Sequence, residues 1–314
     1  MARMKASISC SLFALVFGIS VFAQDVVRTA DPIKRGMKMT DFPRTIKVME
    51  NVYTYEDFHA GDEPFTTTNM FIVTSDGVIL ADAQGNPEMT RKEVEAIRKV
   101  TPKPIKYVVI CSDHGDHTAG NNELPAGVAY IIHPNSKAIL DRQGANAKAG
   151  TWKLPASAEL VPDKKTYKLG GEEFQVLFLG RAHTGGDLAV YLPKEKVLFL
   201  SEIFLNRVFP AMRSAYPTEW LGALDKAEKM DVNLYIAGHG FTENAKVAKE
   251  ELISYRKATK AVIDEVTRLY KAGVSEADAI KQANWGEYGT WSLAKSQGPV
   301  AVRKIYEELN GKLK

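Results

Sequence analysis

The sequence predicts an α/β protein in which two β-sheets are covered by helices and extended by a helical C-terminal region. Strand-like segments come first and then alternate with helical ones, the order expected of packed sheets flanked by helices. From about Thr242 onward, Val247, Leu252, Tyr255, Val262, Val266 and Leu269 recur at helical spacing between Lys, Glu and Arg. Side chains able to bind metal also cluster where strands give way to loops, the place where rigid elements hold a site steady.

The elements follow in order. Residues 24–45 are polar and interrupted by prolines, so they read as an irregular lead-in. Ile46 to Tyr55 alternates as one strand. Asn69 to Thr74, the turn Ser75-Asp76-Gly77, and Val78 to Asp82 read as a β-hairpin. Glu88 to Val100 has helical spacing through Val94 and Ile97 and stops at Thr101-Pro102. Strands are expected at 105–111, 128–132, 168–179, 188–192, 196–200 and 234–237, with helices over 135–143 and 217–229. Gly170-Gly171 and Gly185-Gly186 supply turns. Ser275, preceded by Gly273, is placed to cap a helix that begins before Ala279. The main domain is taken as 46–245, with 246–314 packed on it, and the segment from Trp285 to Trp291 either covers a pocket or, as first expected, packs on that body.

The N-terminus reads as a targeting segment. Arg3 and Lys5 precede an apolar run from about Ile8 to Phe22, and Val21-Phe22-Ala23 offers a small-x-small cleavage site. The run is short for a bilayer span of ~20 residues. Cys10 lies inside it rather than at its end, which argues against a lipid-anchored cysteine. Residues 1–23 are therefore expected to be a signal peptide, giving a periplasmic or secreted protein with no stable membrane insertion after cleavage. Cys111 then remains alone, so no internal disulfide forms, and a buried structural thiol is its expected role. The formal net charge is +3, or +1 without Arg3 and Lys5, and no basic run argues for a nucleic-acid partner. A small molecule is the expected substrate.

The chemistry concentrates in Ser112-Asp113-His114-Gly115-Asp116-His117, directly after the apolar strand ending at Cys111. The chain has only six histidines. Four of them, His114, His117, His183 and His239, lie in loops that follow strands, as does Glu202. With Asp116 they form a set of nitrogen and carboxylate donors that suits Zn²⁺, with iron or manganese as alternatives. His59 either lines a pocket entrance or lies at the surface, the surface being the first expectation, and His133 ends a strand before a helix in a structural role. Asp82 either supports a ligating histidine or closes a turn. Asn206, Arg207 and Arg213 either meet an anionic group or are solvated, Thr184 serves a turn or a substrate, and Trp152 is partly buried.

The 112–117 segment resembles the H-x-H-x-D-H signature of metallo-β-lactamase-fold hydrolases, with Ser112 in the first histidine position. The resemblance extends over about 46–245, through the hairpin ending at Asp82, the His183 loop, the acidic residue 202 and the closing Gly238-His239-Gly240. It implies a four-layer αβ/βα sandwich with two metal positions at one edge of the sheets. By that likeness one metal takes His114, His183 and residue 112, the other takes Asp116, His117 and His239, and residue 202 bridges them. Ser112 is a far poorer zinc ligand than imidazole, so the first position is either weak or completed by water held through Ser112. Asp113 is a further candidate there, otherwise solvent-facing or supporting. Glu202 stands where the family carries aspartate and is one methylene longer.

The resemblance implies a zinc-dependent hydrolase with one or two Zn²⁺ ions. A metal with an open position lowers the pKa of its water to about 7, and the resulting hydroxide attacks a carbonyl-type bond in a β-lactam, lactone, thioester or other ester. Asp116 orients that nucleophile and passes a proton to the leaving group. The competing readings are a degenerate metal-binding protein with little activity, and an iron-dependent enzyme like the persulfide dioxygenases.

Overall fold

The computed structural model describes residues 27–59, 64–148 and 151–313. The expected signal peptide lies outside them. Two sheets face each other with helices on both outer surfaces, the four-layer sandwich expected from the resemblance. The first sheet holds β1 (Arg44–Lys47), β2 (Val52–Phe58), β3 (Thr66–Val73), β4 (Val78–Ala81), β5 (Ile105–Ile110), β6 (Ala129–Ile132) and β7 (Glu159–Leu160) in sequential order. Pairing is antiparallel from β1 to β4 and parallel from β4 to β7. The second sheet runs β12 (Leu234–Ile236), β11 (Val197–Phe199), β10 (Ala189–Leu192), β9 (Glu172–Leu177) and β8 (Lys164–Leu169), antiparallel except for the parallel β11–β12 pair.

The alternation of the strands decides the layers. Met70, Ile72, Ile79 and Val109 point between the sheets, while Phe71, Leu80, Val108 and Ile110 point outward under α1 (Pro87–Val100) and α3 (Pro134–Ala145). Both sets are buried, so these strands read as continuous apolar runs, as strands covered on two faces must. On the far side, α4 (Pro217–Lys229), α5 (Ala245–Lys271) and α7 (Ala294–Leu309) cover the second sheet, with Trp220, Tyr255, Val262 and Ile305 buried in one continuous cluster with it. Asn86, Asn244 and Ser275 cap α1, α5 and α6 (Glu276–Gln282) by accepting from the third backbone N–H beyond themselves.

Several expectations needed adjustment. The strand expected over 46–55 is two strands, because Val48 N–H and Met49 N–H both turn back to the Val52 carbonyl. The strand expected from Lys168 begins at Lys164 and reverses at Gly170-Gly171. Its exposed lysines hid the pattern. β7 is too short to carry a periodic signal. The irregular lead-in passes into β1 at Arg44. Trp285 packs edge-on against Phe209, with ring centroids 5.3 Å apart, and Trp291 stacks near Tyr255, so the segment between them is anchored on the body as expected.

Candidate metal centre

The site forms where parallel strands of both sheets end. Asp82 follows β4, and Ser112 to His117 follow β5 and enter α2 (Gly115–Thr118). Glu202 lies in a 3₁₀ turn after β11, His239 follows β12, and His183 lies between β9 and β10. The sheets are tied together here, since His239 bridges to both Thr67 and Leu205, and Thr68 N–H donates to the Gly238 carbonyl at 2.7 Å. Gly238 and Gly240 are required by this closeness. A Cβ on Gly238 would lie 2.5 Å from the Ser201 carbonyl carbon, and Gly240 adopts a φ of +84°.

All six residues expected in the site converge. Donor atoms of Asp116, His117, Glu202 and His239 lie within 4.8 Å of one another, and so do those of His114, His183 and Glu202. Glu202 belongs to both groups. Its Oε1 lies 3.1 Å from His183 Nε2 and 3.4 Å from His239 Nε2, and its Oε2 lies 2.9 Å from His114 Nδ1. Asp116 Oδ2 lies 3.1 Å from His239 Nε2 and 3.6 Å from His117 Nε2.

The outward nitrogens of three of these histidines face polar groups that fix the rings. His117 Nδ1 lies 3.2 Å from Asp82 Oδ2, His239 Nδ1 lies 3.1 Å from the Thr66 carbonyl, and His114 Nε2 lies 3.2 Å from Ser214 Oγ. This is the support that orients an imidazole toward a metal. Asp82 is itself fixed, with φ +61° and its Oδ1 accepting from Cys111 N–H at 2.7 Å and Ser112 N–H at 3.4 Å. The donor set therefore fits divalent metal ions, with a carboxylate placed between two groups of imidazoles.

The electrostatics agree with that chemistry. Burial works against the charged form of Glu202, but His183 and His114 outweigh it and hold the carboxyl well below its usual range. Burial also opposes a charge on His114, yet Glu202 and Asp116 raise it to about 9. Against the same opposition from burial, hydrogen bonds to Asp116 and Glu202 raise His239 to about 10. Protons thus hold the places of cations in a cluster of buried carboxylates.

Ser112 is fully buried and donates its hydroxyl to Glu202 Oε2, while accepting from His114 N–H at 3.2 Å. The serine holds the shared carboxylate. Asp113 is not solvent-facing; it is 3% exposed, and burial raises its carboxyl. His59 is not a surface residue either. It stacks on Phe65 at 4.4 Å, meets His239 edge-on and lines the cavity, and burial lowers its pKa to about 4. Arg207 is partly exposed but committed to Glu251, with Nη2 donating at 2.9 Å. Asn206 is buried and donates to the Phe241 carbonyl. Thr184 serves its turn through Asp187 at 2.7 Å, His133 caps α3, and Trp152 packs half-buried against Tyr130.

A cavity of about 230 Å³ opens over the centre. Its floor is His114, Asp116, His183, Glu202 and His239, and its apolar wall includes Leu293 and Val300 at the start of α7. The sequence carried no sign that the start of α7 faces a site more than fifty residues away.

Residues 63–239 match the model of the Metallo-beta-lactamase superfamily. The chain is 28% identical over 166 residues to the metallo-beta-lactamase IND-1 of Chryseobacterium indologenes, covering 51% of this chain and 64% of that one. It is 25% identical over 166 residues to 2,4-dinitroanisole O-demethylase subunit alpha of a Nocardioides species, covering 52% of this chain and 49% of that one. The matched region thus spans about half to two thirds of those relatives. Among solved structures, a metallo-beta-lactamase from Pontibacter korlensis superposes with a TM-score of 0.59 at 18% identity, over 68% of this chain and 98% of that one. IND-7 does so with a TM-score of 0.58 at 23% identity, over 68% and 97%.

Proposed function

The chain belongs to the metallo-beta-lactamase superfamily, a generally hydrolytic family, and on that premise we propose that it is an exported zinc hydrolase acting on a carbonyl-type bond. The observation that carries this reading is the pair of donor groups that share Glu202. In it, His114, His183 and Glu202 would hold one ion, and Asp116, His117 and His239 with Glu202 would hold a second. Zinc bound there supplies Lewis acidity and a water acidic enough to lose its proton near neutral pH.

The chain's own residues do the rest. Asp116, whose side chain is 23% exposed at the cavity floor, orients the attacking water and returns a proton to the leaving group. His59 and Phe65 close one side of the cavity and limit access of bulk solvent. Ser112 fixes the Glu202 carboxylate rather than leaving a gap, which favours a working site over a degenerate one. A β-lactam, a lactone, a thioester and another ester are the substrate classes, and relatives named as metallo-beta-lactamases put the β-lactam first. Export rests on the targeting features of residues 1–23, and no helix among the described residues is long and apolar enough to cross a membrane.

The test is a screen of lactam, lactone, thioester and phosphoester substrates, nitrocefin included, on purified protein of measured metal content. Turnover that disappears in His117→Ala and His239→Ala supports the proposal. No turnover at high enzyme concentration, or bound iron with oxygen uptake, overturns it.

A further inference from the structure

Of the four histidines of the centre, His183 alone lacks a polar group at its outward nitrogen among the described residues. Its Nδ1 is buried and makes no hydrogen bond, whereas the corresponding nitrogens of His114, His117 and His239 face Ser214, Asp82 and the Thr66 carbonyl. Trp220 of α4 meets the His183 ring instead, with centroids 5.2 Å apart and planes at 76°. The indole is fully buried and fixed at a second point, since its Nε1 donates to the Ile203 carbonyl at 2.8 Å. Ile203 follows Glu202 in the 3₁₀ turn. At the entry to α4, Tyr216 N–H donates to the Ala182 carbonyl at 2.9 Å, directly before His183. One helix thus grips the backbone beside both donors, and one indole spans from the His183 ring to the Glu202 turn.

We propose that Trp220 is the positioning residue of the first metal position, orienting His183 by ring contact where hydrogen bonds orient the other three histidines, and that this makes the first position the weaker of the two. The proposal rests on the metal-centre reading of the donor groups, but on no substrate or reaction. With Nε2 turned to an ion, neutral His183 carries its proton on Nδ1, and a buried N–H without an acceptor keeps a desolvation cost that nothing offsets. An acceptor at that N–H would also raise the basicity of the ring. Trp220 supplies neither effect. Its edge contact restrains rotation of the imidazole, so the ligand is held in place without being strengthened.

The test is a zinc titration of the metal-free full chain, followed by calorimetry. Trp220→Phe keeps a ring and loses the N–H, Trp220→Leu loses both, and Phe174→Leu in β9 is the control from the same core. The weaker ion should bind about tenfold less tightly in Trp220→Phe and about a hundredfold less tightly in Trp220→Leu, the range for removing groups that orient a ligand. The tighter ion, and both ions in Phe174→Leu, should move by no more than about twofold. If Trp220→Leu does not fold, Trp220→Phe and the parent chain decide. The parent has four tryptophans, so an isotope-labelled sample gives four indole N–H signals, and the slowest to exchange with deuterium belongs to the buried, hydrogen-bonded Trp220. That signal should shift as the weaker ion binds. Equal losses at both ions, the same losses in Phe174→Leu, or no loss in Trp220→Phe overturn the proposal. A parent that binds fewer than two zinc ions refutes the metal-centre reading and this proposal with it. Two ions bound without movement of the Trp220 signal refute the role of Trp220 alone.

Discussion

Asp82 shows how a residue that touches no substrate governs this site. One of its oxygens accepts from two backbone N–H groups, and the other lies 3.2 Å from His117 Nδ1. Removing it frees the ring that must present Nε2 to an ion. Asp82→Ala is expected to weaken zinc binding by about 10–100-fold, read by competition with a chromophoric chelator. The pH dependence follows from the same cluster. Without metal, carboxylates hold His114 near 9 and His239 near 10, so both carry protons at neutral pH. Only neutral imidazole binds metal, so each ion must displace protons. Zinc affinity is therefore expected to rise between pH 6 and 8, by up to about tenfold per unit for each proton displaced, with proton release visible as buffer-dependent heat. A flat profile contradicts this. The six donors were legible in the sequence because each lies in or just beyond a loop that follows a strand. His59 was legible only as a second alternative, because it meets the site by stacking on Phe65, which no spacing records.

At the scale of elements, α5 anchors the loop behind Glu202. Glu251, 1% exposed, receives Arg28 Nη1 at 2.7 Å and Arg207 Nη2 at 2.9 Å. Arg207 has φ +60° and sits between Leu205 and Val208, two walls of the cavity. Glu251→Ala is expected to cost about 2 kcal/mol, less than for a fully buried pair because Arg207 is partly exposed, and urea denaturation measures it. The amphipathic helices α1 and α4 were legible nearly to the residue from their periodicity, and α5 was legible as a helical register without its end. β8 was legible only at its end and β7 not at all. One is masked by exposed lysines and the other has two residues, so pairing with neighbours rather than local pattern makes them strands.

At the scale of the molecule, the sheets and the C-terminal helices share one core. Leu252, Tyr255, Val262 and Val266 of α5 are buried in the same cluster as Phe199 and Ile236 of the second sheet. A chain ended after residue 245 would expose those strands. It is expected to lose the cooperative thermal transition of the full protein, read by circular dichroism, and a retained sharp transition would make 246–314 a separable domain. The central claim is that two donor groups share Glu202, and the number of zinc ions bound per chain tests it most directly. Titration of the metal-free full chain, followed by calorimetry, is expected to show two inequivalent sites, the tighter one lost in His239→Ala and the weaker one in His183→Ala. A single site unaffected by either substitution, or no site, would contradict the account.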